Sequence, residues 1–232
     1  MLLLLLAAAH AISPQPLRIA AAANLQGTLE EVVAAWSSSC DGCKANVTYG
    51  ASGTLAAQIE NGAPFDLYLA ADARYPQKVA EAGYAEGAPF IYARGKLALW
   101  VPSASTLPIE QLGLEALKDA SRVVIANPAL APYGKLAIEA LKVARQEDPR
   151  RLLLAESVAQ AAQQAQSGAV DAALLPLSLV LRMPGRHIEL ASAIEQGGVV
   201  LRGAHDLRLA RAFADFLLSP VARKILARHG YA

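Results

Sequence analysis

The sequence predicts an α/β fold built on mostly parallel sheets flanked by helices. Three observations predict it. Short apolar runs alternate with stretches of helical period along the chain. Those runs are nearly continuous, as strands covered on both faces require. Glycine and proline gather in the joints, as in Gly62-Ala63-Pro64 and Pro184-Gly185.

Taken in order, a strand at Leu17–Ala22 ends before Asn24, a good N-cap, and a helix follows over Leu25–Ser38. A strand at Asn46–Tyr49 leads to a helix at Thr54–Asn61, and Asp66–Ala71 leads to Tyr75–Ala82. Leu97–Val101 and Arg122–Ile125 are strands, the second followed by a helix at Gly134–Arg145. Leu152–Leu154 precedes a helix at Ser157–Gly168, and Ala172–Leu175 is the last strand. Helices at Leu207–Leu218 and Pro220–His229 close the chain. Stripes such as Leu136-Ala137-Ile138-Glu139-Ala140-Leu141 read as core. No internal repeat or heptad interrupts this order.

The 232 residues suit one large domain or two small ones. Hydrophobic residues make up 54% and charged residues 18%, which argues against a disordered chain. A net charge of +1 argues against a nucleic-acid surface, which needs a clustered basic excess. It leaves open an anionic ligand held locally by dipoles.

The chain starts with an apolar run from Met1 to Ile12, broken only by His10. It is too short to span a bilayer, which takes about 20 residues. It fits the apolar part of an export leader over residues 1–11, extending to about 16, with Ala9-His10-Ala11 as the cleavage pattern. No Lys or Arg precedes the run, and a buried N-terminal helix is the alternative reading.

Cys40 and Cys43 form the only CxxC. No second pair exists and His10, His187, His205 and His229 are scattered, so a zinc site is not expected. The pair follows a helix instead of opening one, unlike a redox-active motif. In an exported chain the reading is a local disulfide that pins a turn.

Four strand-to-helix turns are candidates for ligand chemistry, because ligands of open α/β sheets bind at the carboxyl ends of strands. The first is Ala21-Ala22-Ala23-Asn24, and the second is Gly50-Ala51-Ser52-Gly53-Thr54. The third, Asn127-Pro128 through Ala131-Pro132-Tyr133-Gly134, is stiffened by its prolines and could offer the Tyr133 N–H. In the fourth, Glu156 or Ser157 can cap and leave the Val158 N–H free. Helix starts carry unsatisfied N–H groups and a dipole that favours an anion. Each turn alone reads equally as a plain cap. Four in one chain, two in each half, point to a shared anion site. No Lys follows the second glycine turn, so it is not a P-loop.

At these residues the sequence resembles the periplasmic molybdate-binding proteins of ABC transporters, from about Leu17 to Ala232. The most specific stretches are Ala21-Ala22-Ala23-Asn24, Ala51 through Ile59 and Gly62 through Asp72, with the closing Gly230-Tyr231. The resemblance implies a type II periplasmic-binding-protein fold of two lobes, with the ligand in the cleft between them. The lobes are expected at residues 17–94 plus 199–232, and at 95–198. It implies an oxyanion held by neutral donors: Asn24 and Ser52 on one lobe, the Tyr133 and Val158 N–H groups on the other. Ala23 and Ala51 are further backbone candidates. Some relatives carry Ser where this chain has Asn24, and others have Asn there with Thr at the place of Ala23. Some add a Tyr donor where this chain has Pro176, which has none. Molybdenum or tungsten enters only as molybdate or tungstate, without direct protein ligands, and no cofactor is implied. The implied partners are a membrane permease and its ATPase, and the implied setting is the periplasm, for a monomer.

The rivals are a carrier of sulfate or another oxyanion, an enzyme, and the ligand-sensing domain of a regulator. No GxSxG or HExxH occurs; Asp66 and Asp72 bracket a strand end, where Asp66 reads as a capping or pairing group. No DNA-binding unit accompanies the fold. Arg211, Arg223, Lys224 and Arg228 read as ordinary surface, with contact to a transporter as the alternative.

Overall fold

Apolar runs that are covered on both faces become the strands of one mixed sheet. A computed structural model describes residues 15–232; the leader expected over residues 1–11 lies outside them. The elements are β1 (Leu17–Ala22), a 3-10 turn (Ala23–Leu25), α1 (Thr28–Ser39), β2 (Ala45–Gly50), α2 (Ser52–Glu60), β3 (Leu67–Leu69) and α3 (Arg74–Glu81). Then come β4 (Phe90–Val101), α4 (Ile109–Leu112), a 3-10 stretch (Gly113–Asp119), β5 (Val123–Ala126) and α5 (Pro132–Val143). The chain continues with β6 (Leu152–Ala155), α6 (Val158–Gln166), β7 (Ala172–Pro176) and α7 (Leu177–Val180). It ends with β8 (Arg186–Val200), α8 (Leu207–Leu217) and α9 (Pro220–Arg228). No helix among the described residues is long and apolar enough to cross a membrane.

The sheet order is β2-β1-β3-β8-β4-β7-β5-β6. β1 runs parallel to β2 and β3, and β5 runs parallel to β6 and β7. These are the two parallel sets that the sequence predicts. What the sequence did not reveal is the long pair that joins them: β4 and β8 are antiparallel to each other, and each is antiparallel to its other neighbour. The β4–β8 ladder shifts register between Lys96 and Ala98, where the sheet passes from one set to the other. β8 was missed because its first ten residues alternate exposed and half-buried, with Glu189, Ser192 and Glu195 on the way. That is the period-two signature of a strand with one wet face, not an apolar run.

Side chains of period two split between the faces. Leu17, Ile19, Leu67 and Leu69 pack under α1, α8 and α9, where Trp36 meets Phe213 edge-on at 4.9 Å. Ala20, Tyr68 and Val199 pack under α2 and α3. In the second set, Leu97, Leu99, Val123 and Ile125 face α5, while Ala98, Trp100, Val124 and Ala173 face α6 and α7. Each such buried Leu or Ile contributes about 2 kcal/mol by leaving water.

Two local expectations are corrected. The first helix begins at Thr28 and not at Leu25, because Gly27 takes a left-handed φ of 79° that ends the preceding turn. Asn24 therefore lies inside the 3-10 turn and caps no helix with its side chain. The Cys40–Cys43 disulfide is formed and closes the turn between α1 and β2.

Candidate functional site

The carboxyl ends of β1, β2, β5 and β6 converge, as open α/β sheets favour for ligand sites. A cavity of about 10 Å³ lies among them. That is the scale of about one water-sized sphere, so the site suits a compact group of few atoms. The first half lines it with Ala22, Ala23, Asn24, Gly50, Ala51, Ser52 and Ala71. The second half lines it with Ala131, Pro132, Tyr133 and Val158. All six residues named from the sequence as donors are thus brought to one cavity, and none of its lining residues is charged. Pro176 ends β7 opposite Leu97 and does not line it.

The local sequence explains each placement. α2, α5 and α6 all start at the cavity, with Ser52 and Val158 as first residues and Tyr133 second, after Pro132. First-turn N–H groups have no acceptor within their own helix, and the three dipoles add positive potential there. Proline at the first position of α5 costs no hydrogen bond. In α6 the cap is Ser157, whose Oγ accepts from the Gln160 N–H at 3.2 Å, and the Val158 N–H has no acceptor among the described residues. Ser52 is no cap: its Oγ accepts from the Ala71 N–H at 3.0 Å, which leaves its own hydrogen free to donate. The Gly53 N–H is spent on Leu130 O at 2.8 Å, a bond that bridges the two halves beside the cavity.

Behind the cavity wall lies a buried polar cluster that the sequence reading missed. Gln196, fully buried on β8, accepts from Asn24 Nδ2 at 2.8 Å and donates to Tyr133 Oη at 2.9 Å. Tyr231 Oη donates to Asn24 O at 2.7 Å and stands 3.1 Å from Ser178 Oγ. Burial raises the phenols of Tyr92 and Tyr133, and pushes Tyr231 up to about 12, so each keeps its hydrogen near neutral pH. The available signal was a lone amide before Gly197-Gly198 in an otherwise apolar strand end.

Gly134 sets the seating of Tyr133. A Cβ there would stand 2.2 Å from Ala126 O and 2.9 Å from the carbonyl carbons of Ala126 and Asn127, all backbone. Gly134→Ala should therefore push α5 off β5 and destabilise the fold by about 2 kcal/mol. Thermal unfolding checks this; an unchanged midpoint would mean that the helix start relaxes freely.

Among the described residues no group of three His, Cys, Asp or Glu side chains could hold a metal ion. The arrangement offers neutral donors to a small anion. The family profile of bacterial extracellular solute-binding proteins matches residues 17–232. The chain belongs to that family. Among relatives of this solute-binding protein, the molybdate-binding protein ModA of Rhodobacter capsulatus is 34% identical over 221 residues, covering 91% of this chain and 86% of the relative. The molybdate-binding protein ModA of Azotobacter vinelandii is 33% identical, covering 98% of this chain and 93% of its own. The solved periplasmic molybdate-binding protein of Azotobacter vinelandii superposes with a TM-score of 0.86 at 30% identity, over 93% of this chain and 98% of that one. The sulfate-binding protein SubI of Mycobacterium tuberculosis shares the fold at 18% identity, with a TM-score of 0.78.

Proposed function

We propose that this protein is the periplasmic solute-binding component of an ABC transporter, and that it captures molybdate or tungstate as a bare tetrahedral dianion. The observation that carries the reading is the small uncharged cavity, ringed by first-turn N–H groups of three helices and the Ser52 hydroxyl. The two molybdate-binding relatives at 34% and 33% identity support the choice of anion. The ligand is the oxyanion alone, with no cofactor and no direct bond from metal to protein. The lobes are residues 17–94 plus 199–232, and 95–198. Asn24 and Ser52 serve from the first, and the Tyr133 and Val158 N–H groups from the second, with Ala23 and Ala51 N–H as further donors. A ligand that completes its shell only from both lobes biases the closed form, and the monomer presents that form to the permease and its ATPase.

Desolvating a dianion is costly unless each oxygen gains donors. Neutral donors supply that compensation and also select. A ligand that keeps a proton turns an O–H toward another donor, at about 1–3 kcal/mol for the unpaired group. Phosphate, partly protonated near neutral pH, is rejected this way, and the smaller sulfate cannot reach all donors at once.

Calorimetry with molybdate, tungstate, sulfate and phosphate tests the reading. Molybdate and tungstate should bind tightly, sulfate weakly and phosphate not at all; tight sulfate binding without a molybdate signal would overturn it. Ser52→Ala should weaken molybdate about tenfold or more, the cost of one donor to a charged group. Ser52→Ala also frees the Ala71 N–H from which its Oγ accepts, so an unchanged thermal midpoint alongside the loss would assign it to the ligand contact.

A further inference from the structure

The side-chain amide of Asn24 is fully buried at the cavity wall, yet it is half satisfied. Its Nδ2 donates inward, to Gln196 Oε1 at 2.8 Å and to Tyr231 Oη at 2.9 Å. Its Oδ1 has no partner among the described residues. A buried acceptor with nothing to accept is a cost to the fold. At the wall of an anion site it would also repel the ligand. The oxygen and nitrogen of an amide are nearly the same size, so the hydrogen-bond network decides which way it faces.

Gln196 makes the reversal possible. With both amides turned over, Gln196 Nε2 donates to Asn24 Oδ1 and to Tyr92 Oη, across the contacts that now measure 2.8 Å and 3.0 Å. Gln196 Oε1 then accepts from Tyr133 Oη across 2.9 Å. The hydrogen count is matched in the two arrangements. In the first, Tyr92 has one hydrogen for two acceptors, Ala70 O and Gln196 Oε1. In the second, Tyr231 has one for Asn24 O and Asn24 Oδ1, with Ser178 Oγ still donating to Asn24 O at 2.9 Å. What differs is the atom left at the cavity wall: an acceptor in one, a donor in the other. Space for the pair is secured by Gly95, where a Cβ would stand 1.9 Å from Tyr133 Oη and 2.2 Å from Gln196 Nε2.

We propose that Gln196 is a positioning residue for the anion site, a proposal that rests on the oxyanion reading: it turns over together with Asn24, so that the Asn24 amide presents N–H to the bound anion. Gln196 touches no ligand itself. It ties the amide of the first half to the Tyr133 ring of the second, and so links the orientation of one donor to the seating of another.

The test uses the full protein with molybdate as the probe. The Asn24 side-chain amide protons, assigned in a nitrogen-15 spectrum through the signal lost in Asn24→Ala, should shift on adding molybdate to the wild-type protein. Gln196→Met keeps the side-chain length and removes the amide. It should weaken molybdate about tenfold in the wild-type background and less than about twofold in Asn24→Ala, because coupled residues are not additive. A purely structural role for Gln196 would give equal losses in both backgrounds. Equal losses, or an Asn24 amide signal that stays in place while molybdate binds, overturn the relay alone. No molybdate binding by the wild-type protein overturns the oxyanion reading, and the relay with it.

Discussion

Replacing Asp66 with alanine should lower the free energy of unfolding by about 3 kcal/mol, the low end for breaking a buried charge pair. Asp66 is fully buried and gathers five donors. Arg18 gives its backbone N–H at 2.7 Å, Nε at 3.1 Å and Nη2 at 2.6 Å. His205 gives its backbone N–H at 3.0 Å and its ring Nδ1–H at 2.9 Å. One carboxylate thus ties β1 and the approach to β3 to the segment that enters α8. The Arg18 side chain is 32% exposed, so water repays part of its loss, and the low end of the range applies. Urea unfolding near pH 7 reads the change as a lower midpoint at unchanged slope. An unchanged midpoint would mean that water replaces the carboxylate without loss.

The same group gives the stability a pH dependence of known sign. Burial alone would raise the Asp66 carboxyl, but the hydrogen bonds from Arg18 and His205 outweigh burial and hold it well below the usual carboxylate range. A carboxyl lowered on folding adds stability above its unfolded value of about 4, and that stability fades as pH falls from there toward the folded value. Asp66→Asn should remove this contribution and flatten the acid limb of the stability curve.

The parts of the fold that the sequence disclosed are those in which one local pattern has one structural meaning. β5 and β7 are apolar throughout, β1 is apolar but for Arg18, and their runs could be read directly. β8 and the start of β4 alternate with the solvent, and Ile91 and Arg94 lie outside. What no local window contains is their pairing with each other across about a hundred residues. The cavity-lining positions were legible for the same reason as the apolar strands. Ser52, Tyr133 and Val158 lie at helix starts, and a helix start is marked locally by proline, serine and glycine. Gln196 was not legible, because its meaning comes from Asn24, Tyr92 and Tyr133, brought to it by three other elements. Asn24 shows the boundary well. Its turn was singled out and lies at the cavity, yet its expected capping role gave way to Gly27, which starts α1 three residues later than the apolar period suggests.

Val158→Pro should weaken molybdate binding by about tenfold to a hundredfold while leaving α6 intact, since one hydrogen bond to a charged group is worth about 1.5–3 kcal/mol. Backbone donors normally escape mutagenesis, because every side-chain change keeps the N–H. Val158 is an exception by its place in the chain. It is the first residue of α6, where proline is favoured and its missing N–H breaks no helical bond. Ser157 before it is extended, with φ −142° and ψ 167°, the conformation that a following proline demands. The Ser157 cap on Gln160 survives the change. Val158→Ala is the matched control: it shortens the same buried side chain but keeps the N–H, and should bind molybdate nearly as well as the wild type. Calorimetry on the pair, with thermal midpoints alongside, separates the backbone from the side chain. Equal affinities in the two variants would remove Val158 from the donor set. A loss confined to the proline variant would place the anion at the first turn of α6, at the carboxyl end of β6.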